Sequence, residues 1–428
     1  MEEVRKIEPF SHGAFGTVYI PGSKSLTNRA LLLCALADGK SELHFPLLSE
    51  DSELMREALR KIGIDIQIQN DVWEIHGTGG KFVSGNHELF VGNAGTVARF
   101  LSAAMGLNSG TVRISGKPRM HERPLKDLLD ALKDIGVDII SENENGCLPV
   151  IISGAGKIAG GTAGISGDTS SQFLSALLLV GAKTEMGIRI QVRPPLVSRP
   201  YLSMTIALLQ QFGVKVISHS GFEFSVEPQN IQPISLDIEG DASSAAHVFS
   251  LAVAAGGNVT ISNFPYPSLQ GDARFLDILE KFGAKVERTL SGVTVKRIEE
   301  LRPLGEIDME DMPDVALAAA TLAPLAQGKT KITGLSTLRK KECDRLEALR
   351  LNLEKMNVAV QTSEDSITIV GNPKTMIGAK IETFDDHRIA MSFSALGTRI
   401  SGMTICDPKC VGKTFPEFWN VFESLRAT

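Results

Sequence analysis

Cysteine is scarce in this chain, and the few present rule out two architectures. Cys34, Cys147, Cys343, Cys406 and Cys410 make an odd set with no C-x-x-C spacing. That argues against both a disulfide framework and a structural zinc site, and reduced thiols are expected. An excess of positive charge is also missing: 44 Lys and Arg stand against 50 Asp and Glu, for a net charge of −6. No global basic field exists of the kind that nucleic acid or an anionic membrane requires, so any anion site must be local. No apolar run reaches the roughly 18 residues of a membrane span. The opening MEEVRKIEPF lacks the basic start and apolar core of a signal peptide, so a cytoplasmic protein is expected. There is no Walker A motif, and SGAGKIAGG has the wrong spacing for a dinucleotide fingerprint, so no nucleotide cofactor is indicated.

What is present is a repeat. SKSLTNRALLLCALADGKSELHF, AGTVARFLSAAMGLNSGTVRISG, SSQFLSALLLVGAKTEMGIRIQV, ASSAAHVFSLAVAAGGNVTISN, PDVALAAATLAPLAQGKTKITG and HRIAMSFSALGTRISGMTICD share one pattern. Each is a polar residue, an Ala/Leu-rich helix and a short alternating strand, in most copies joined by a Gly. Anchored on Ser25, Thr96, Ser170, Ser243, Asp314 and Arg388, the copies are spaced 71, 74, 73, 71 and 74 residues apart. A second helix follows in each copy and, in the first five, ends at Gly63, Gly136, Gly213, Gly283 or Asn357, residues suited to a left-handed C-cap. A hairpin signal comes next, as in DIQIQNDVWEIHG. The unit is therefore βαβαββ. The sixth copy stops before its hairpin, while the chain opens with an unattached one, VRKIEPFSHGAFGTVYI, which is expected to complete it. Two α/β domains of three repeats each follow: residues 1–21 with 241–428, and an inserted 22–240. Helices are expected inside and strands outside, with a cleft between the domains as the expected ligand site.

Helix N-termini present unpaired N–H groups and about half a positive charge, so they suit anions. Hydroxyls there are also ordinary caps, and Ser243 and Ser244, with no basic neighbour, are read as caps in a purely structural fourth copy. Other starts carry more than capping needs. PGSKSLTNRALL places Lys24 and Ser25 at a helix start and Arg29 one turn on, sharing a face with Ser25. A basic residue there opposes the helix dipole, which points to a bound anion. SGDTSSQFL offers Ser170, Ser171 and Gln172 as neutral donors, and GNAGT offers backbone at Gly92 and Gly95. Basic residues recur just outside the helices: Arg119 and Arg123 in KPRMHERP, Arg199 beside Ser198 in LVSRPY, Lys340, Lys341 and Arg345 in RKKECDRL, Arg388 in DDHR and Lys413 in VGKTFPEF. Glu342 stands between Lys341 and Arg345, a clamp holding an acid. Asp314 starts an apolar helix, where it could be a cap or a catalytic carboxylate.

The blocks PGSKSLTNRAL, GNAGT, PRMHERPL, DTSSQFLSALL, VSRPY, KECDRL, DDHRIAM and GKTFPEFW, in this order, resemble the 5-enolpyruvylshikimate-3-phosphate synthase family of enolpyruvyl transferases. The resemblance implies two domains of three βαβαββ units closing on shikimate 3-phosphate and phosphoenolpyruvate, with phosphate released and no metal or cofactor. It implies that Lys24 touches both substrates, Ser25 and Arg29 hold the shikimate end, and Ser170, Ser171 and Ser198 hold its phosphate. Gln172 would lie between the substrates, with Lys341 assisting and Asp314 also on the shikimate side. Phosphoenolpyruvate would rest on Arg123, Arg345, Arg388 and Lys413 beside Asn93 and Gly95. Thr337 stands where many relatives have Asn, and Phe100, beside Arg99, is a second departure. Glyphosate is expected to compete with phosphoenolpyruvate, and a monomer is expected.

The reaction so implied adds the 5-hydroxyl to C2 of phosphoenolpyruvate and then eliminates phosphate. It needs a base at the hydroxyl, for which Asp314 and Lys24 are both competent, and an acid at the methylene, for which Glu342 is the candidate. The related UDP-N-acetylglucosamine enolpyruvyl transferase uses a loop cysteine, and SGKPRMHERP has none. An RNA 3′-phosphate cyclase relative would need a nucleotide site. A non-catalytic phosphometabolite binder would have no reason to keep Asp314, Glu342 and Lys24 together.

Overall fold

A helix with no polar face must be buried on every side. The first helices of the six copies meet that demand in the computed structural model, which describes residues 3–298 and 300–427. They span Lys24–Leu36, Gly95–Ala104, Ser171–Gly181, Ala242–Ala255, Ala316–Leu322 and His387–Gly397. All fourteen residues of Ala242–Ala255 and all eleven of His387–Gly397 are buried. Their Ala, Ser and Gly content lets the helix backbones pack closely. Second helices, such as Glu50–Lys61 and Lys126–Asp134, bury only one face. Gly63, Gly136, Gly213, Gly283 and Asn357, just beyond five of them, all have positive φ, from 60° to 107°. Left-handed backbone here closes the last helical turn and starts the following strand.

Among the described residues the strands form six small sheets. In copy two, His87–Phe90 runs parallel to Ser109–Ser115, which pairs antiparallel with Val150–Ala155, itself antiparallel to Asp138–Ser141. Copies three and five repeat this order. Copy one takes its parallel strand from Ser235–Asp237, at the far end of the inserted segment, which pairs with Glu42–His44.

The opening hairpin expected from VRKIEPFSHGAFGTVYI does not form. Val4–Ile7 pairs antiparallel with Met403–Cys406 of copy six, whereas Ala14–Val18 runs parallel to Gly257–Ile261 of copy four. Alternation marks a strand and a Gly-containing loop marks its end, but neither names the partner. Here only the first strand joins the sheet of copy six, which has three strands among the described residues where the other sheets have four, and the second supplies copy four with the parallel strand it lacks.

The Ser243 and Ser244 caps are likewise corrected. Asp241 is the N-cap, accepting from the Ser244 N–H at 2.7 Å, and Ser243 Oγ instead donates to the Asp272 carboxylate. The upstream carboxylate was already in place for the free N–H groups.

Residue contacts divide the chain into two compact units: residues up to Pro21 with those from Glu239 onward, and Gly22–Ile238. The three buried helices of each unit pack on one another, with the sheets around them, so the chain has an α/β fold with helices inside and strands outside. The five cysteines form no disulfide. Among the described residues no helix is long and apolar enough to cross a membrane, and no cluster of three metal-ligating side chains occurs.

Candidate active site

In the unit containing copies four to six, the ends of several helices bring six of the sequence-predicted residues into one ion-pair network. Arg345 is the first residue of the helix Arg345–Lys355 and is only 1% exposed. Its Nη1 donates to Asp314 Oδ1 at 2.9 Å, and its Nη2 lies 3.0 Å from Glu342 Oε2. Lys341 Nζ and Arg388 Nη2 approach the Asp314 carboxylate at 3.4 and 3.3 Å, and Lys413 Nζ stands 3.8 Å from Glu342 Oε1. Asp314 belongs to a short 3₁₀ turn, Pro313–Val315, and its carboxylate meets these cations instead of serving as the cap of the following helix.

Charge decides the state of the pair at the centre. Burial opposes the charge on Asp314, but Arg388, Lys341 and Arg345 together hold its carboxyl well below the usual carboxylate range. Burial also opposes the charge on Arg345, yet Asp386, Glu342 and Asp314 hold its guanidinium well above the usual range. Both are therefore ionised. Cations at helix starts are unfavourable against the dipole unless carboxylates or bound anions offset them.

The residue that ties this network together is not among the candidates the sequence marks. Asp386 is wholly buried and accepts from Arg345 Nε at 2.8 Å, from the Arg388 backbone N–H at 2.9 Å and from the Cys343 thiol at 3.6 Å. It caps the helix that begins at His387 and fixes the Arg345 fork. The available signal was its place directly before an apolar helix in DDHR, a capping position that also adjoins Arg388.

Copy four adds a second buried acid. Burial, and then the charge of Asp314, push the Asp272 carboxyl up to about 6, with the Ser243 hydroxyl and Arg388 working the other way. A carboxyl raised in this way contributes stability that is full below its unfolded pKa of about 3.9 and is lost as pH rises through about 6. Asp272→Asn, uncharged throughout, should therefore gain in Tm relative to the unsubstituted protein as pH goes from 4.5 to 7.5. A Tm difference flat across that range, read by thermal melts, would overturn this assignment.

The unit Gly22–Ile238 carries the remaining predicted residues, again at helix starts. Ser23, not Ser25, caps the helix Lys24–Leu36, accepting from the Leu26 N–H at 3.4 Å. Lys24 Nζ lies 3.3 Å from the buried Asp51 carboxylate. Arg29, 1% exposed, donates from Nη1 to the Ser25 carbonyl at 3.0 Å, and its guanidinium sits 5.2 Å from the centre of the Phe100 ring. The Phe100 departure thus has a structural role, as a π-face for a buried cation.

Gly95 begins the helix Gly95–Ala104, and a Cβ there would lie 2.5 Å from both Arg123 Nη2 and Arg99 Nη1. With no side chain at Gly95 two guanidinium ends seat against this turn, and a methyl group there would displace them. Arg123 Nη1 donates to the Asn93 carbonyl at 2.9 Å and to its side-chain oxygen at 3.2 Å. Ser170 caps the helix Ser171–Gly181, accepting from the Gln172 N–H at 3.3 Å. Ser198 precedes Arg199–Gln211 in left-handed backbone, φ 54° and ψ 42°, a strained conformation for serine of a kind that concentrates at ligand sites. The hydroxyl of Thr337 is shielded from solvent with no hydrogen-bond partner among the described residues.

Six diverged α/β copies in two units, with charged and hydroxyl side chains at most of their helix starts, define a protein of the enolpyruvyl-transferase fold class. The model of the EPSP synthase (3-phosphoshikimate 1-carboxyvinyltransferase) family matches residues 12–422, and the chain belongs to that family. It is 41% identical over 416 residues to the 3-phosphoshikimate 1-carboxyvinyltransferase of a Shewanella species, covering 96% of this chain and 97% of the relative. The Shewanella loihica protein of the same name is 40% identical over 430 residues, 99% of this chain and all of its own. The solved EPSP synthase of Acinetobacter baumannii superposes with a TM-score of 0.80 at 27% identity, over the whole of this chain and 99% of that one.

Proposed function

We infer that this chain transfers the enolpyruvyl group of phosphoenolpyruvate to the 5-hydroxyl of shikimate 3-phosphate, the shikimate-pathway step that leads to chorismate and the aromatic amino acids. Addition forms a tetrahedral intermediate, and elimination of phosphate restores the enol ether. The observation that carries the mechanism is the linked set Asp314, Arg345 and Glu342, in which one buried guanidinium holds two carboxylates with Lys341, Arg388 and Lys413 around them.

In this reading Ser170, Ser171 and Ser198, with Lys341, hold the 3-phosphate. Ser25, Arg29 and Asp314 take the shikimate ring, while Lys24 and Gln172 touch both substrates. Arg123, Arg345, Arg388 and Lys413 take phosphoenolpyruvate with Asn93 and Gly95. The cations offset the charge of two anions that would otherwise repel each other, and they orient the reacting carbons. Asp314 or Lys24 removes the hydroxyl proton, and Glu342 delivers one to the methylene, making the methyl group of the intermediate. Loss of a proton from that methyl and of phosphate from C2 completes the reaction. The protein works as a cytoplasmic monomer of two domains, 1–21 with 241–428 and 22–240, and needs no cofactor.

The test is release of inorganic phosphate from phosphoenolpyruvate. Release should require shikimate 3-phosphate, should not occur with UDP-N-acetylglucosamine, and should be inhibited by glyphosate in competition with phosphoenolpyruvate. Binding of both substrates by calorimetry without any turnover would overturn the enzymatic reading, and indifference to millimolar glyphosate would overturn the inhibitor assignment.

A further inference from the structure

We propose that Thr205, on the helix Arg199–Gln211, is a positioning residue that sets the plane of the Arg29 guanidinium and thereby the affinity for the shikimate substrate. The inference rests on the proposed function, in which Arg29 holds the shikimate ring.

Arg29 is buried, and among the described residues no carboxylate pairs with it. Burial lowers its pKa to about 10, with Tyr201 opposing the shift. A cation so placed depends on neutral acceptors to hold it. Three are present. Nε donates to Thr205 Oγ1 at 2.7 Å, Nη1 to the Ser25 carbonyl at 3.0 Å and Nη2 to the Tyr201 carbonyl at 3.4 Å. The bond to Thr205 is the shortest, and it is the one that fixes the guanidinium at its root.

The hydroxyl of Thr205 is itself fully committed. It donates to the Tyr201 carbonyl at 2.9 Å and lies 2.9 Å from Ser175 Oγ. One hydrogen and two lone pairs then serve three partners: the proton goes to Tyr201, and the lone pairs accept from Arg29 and Ser175. Ser175 stands one turn inside the helix that begins at Ser171, and Thr205 two turns inside the helix that follows Ser198. The Phe100 ring closes another side of the guanidinium. One hydroxyl therefore joins the three helices whose starts carry Ser25, Ser170, Ser171 and Ser198. A guanidinium reads ligand oxygens through a rigid planar fork, so a rotated plane weakens binding without touching the groups that move protons.

Thr205→Val keeps the shape and removes the hydroxyl. It should raise both the KM for shikimate 3-phosphate and the Kd measured by calorimetry without phosphoenolpyruvate by about tenfold, the scale of one hydrogen bond to a charged group. Both kcat and the KM for phosphoenolpyruvate should stay within about twofold. Thr205→Ser, which restores the hydroxyl alone, should return the Kd to within about twofold of its original value. Thr205→Cys, with a weaker hydrogen-bonding group, gives the same test if the valine variant does not fold, and its expected Kd is intermediate. An unchanged Kd in the folded variants overturns the proposal, as does a loss that falls equally on kcat and both KM values or that serine does not rescue. If the unsubstituted protein neither binds nor turns over shikimate 3-phosphate, the proposed function itself fails, and the two failures are thereby distinguished.

Discussion

Asp314→Asn should lower kcat for phosphate release by at least about a hundredfold, while the Kd for shikimate 3-phosphate moves far less. The substitution keeps the volume of the side chain and removes its charge. In the resting protein Asp314 is a weak base, because Arg388, Lys341 and Arg345 hold its carboxyl well below the usual range despite burial. Those three cations are also the proposed anchors for the phosphate and carboxylate groups of the substrates. Once they are shared with two anions, their pull on Asp314 falls and its basicity rises. In the proposed mechanism the base is thus completed by substrate binding. It follows that the acid limb of kcat, which reports the bound state, should lie at higher pH than the acid limb of kcat/KM, which reports the free protein. Phosphate release measured from pH 5 to 9 at saturating and at low substrate checks both points. An asparagine variant with nearly full kcat would remove Asp314 from the chemistry and leave Lys24 as the base.

Glu342→Gln is expected to have an effect of the same order on kcat, with a different signature. Glu342 is 8% exposed and lies against Arg345 and Lys413, both proposed to hold phosphoenolpyruvate. A carboxyl in that position can deliver a proton to the methylene carbon and take one back during elimination, which an amide cannot do. Turnover should fall by at least about a hundredfold. Glutamine keeps an acceptor oxygen for Arg345, which also retains Asp314 and Asp386, so the fold and the cation cluster should survive. The Tm should therefore change little, and the Kd for phosphoenolpyruvate in the presence of shikimate 3-phosphate should stay within a few-fold. A loss of binding as large as the loss of turnover would instead make Glu342 a support for Arg345 and Lys413.

The copies, their buried first helices and the left-handed residues after the second helices were legible because each depends on local chemistry. Wholly apolar runs must be buried, and Gly63 or Asn357 suits a left-handed C-cap wherever the chain goes next. The charged helix starts were legible for the same reason, as Lys24, Arg345 and Arg388 stand where a helix dipole makes cations costly without an anion. Strand partners were not. Val4–Ile7 and Ala14–Val18 looked like one hairpin and belong to two sheets, because alternation records which face is buried and carries no information on the neighbour.

Hidden supports were equally illegible. Asp386 lies 41 residues from Arg345, Asp272 lies 29 from Ser243, and Thr205 lies 176 from Arg29. A buried carboxylate or hydroxyl reads in sequence as an ordinary cap or core residue until the fold brings its partner within about 3 Å. The repeat, the fold class and the residue types at the helix starts were thus readable before any coordinates, since all are governed by interactions between near neighbours in the chain. Which sheet each terminal strand joins, that Asp314 and Glu342 share one buried guanidinium, and which neutral groups hold Arg29 emerged with the folded chain alone. Those outcomes depend on desolvation and on distances between segments far apart in sequence.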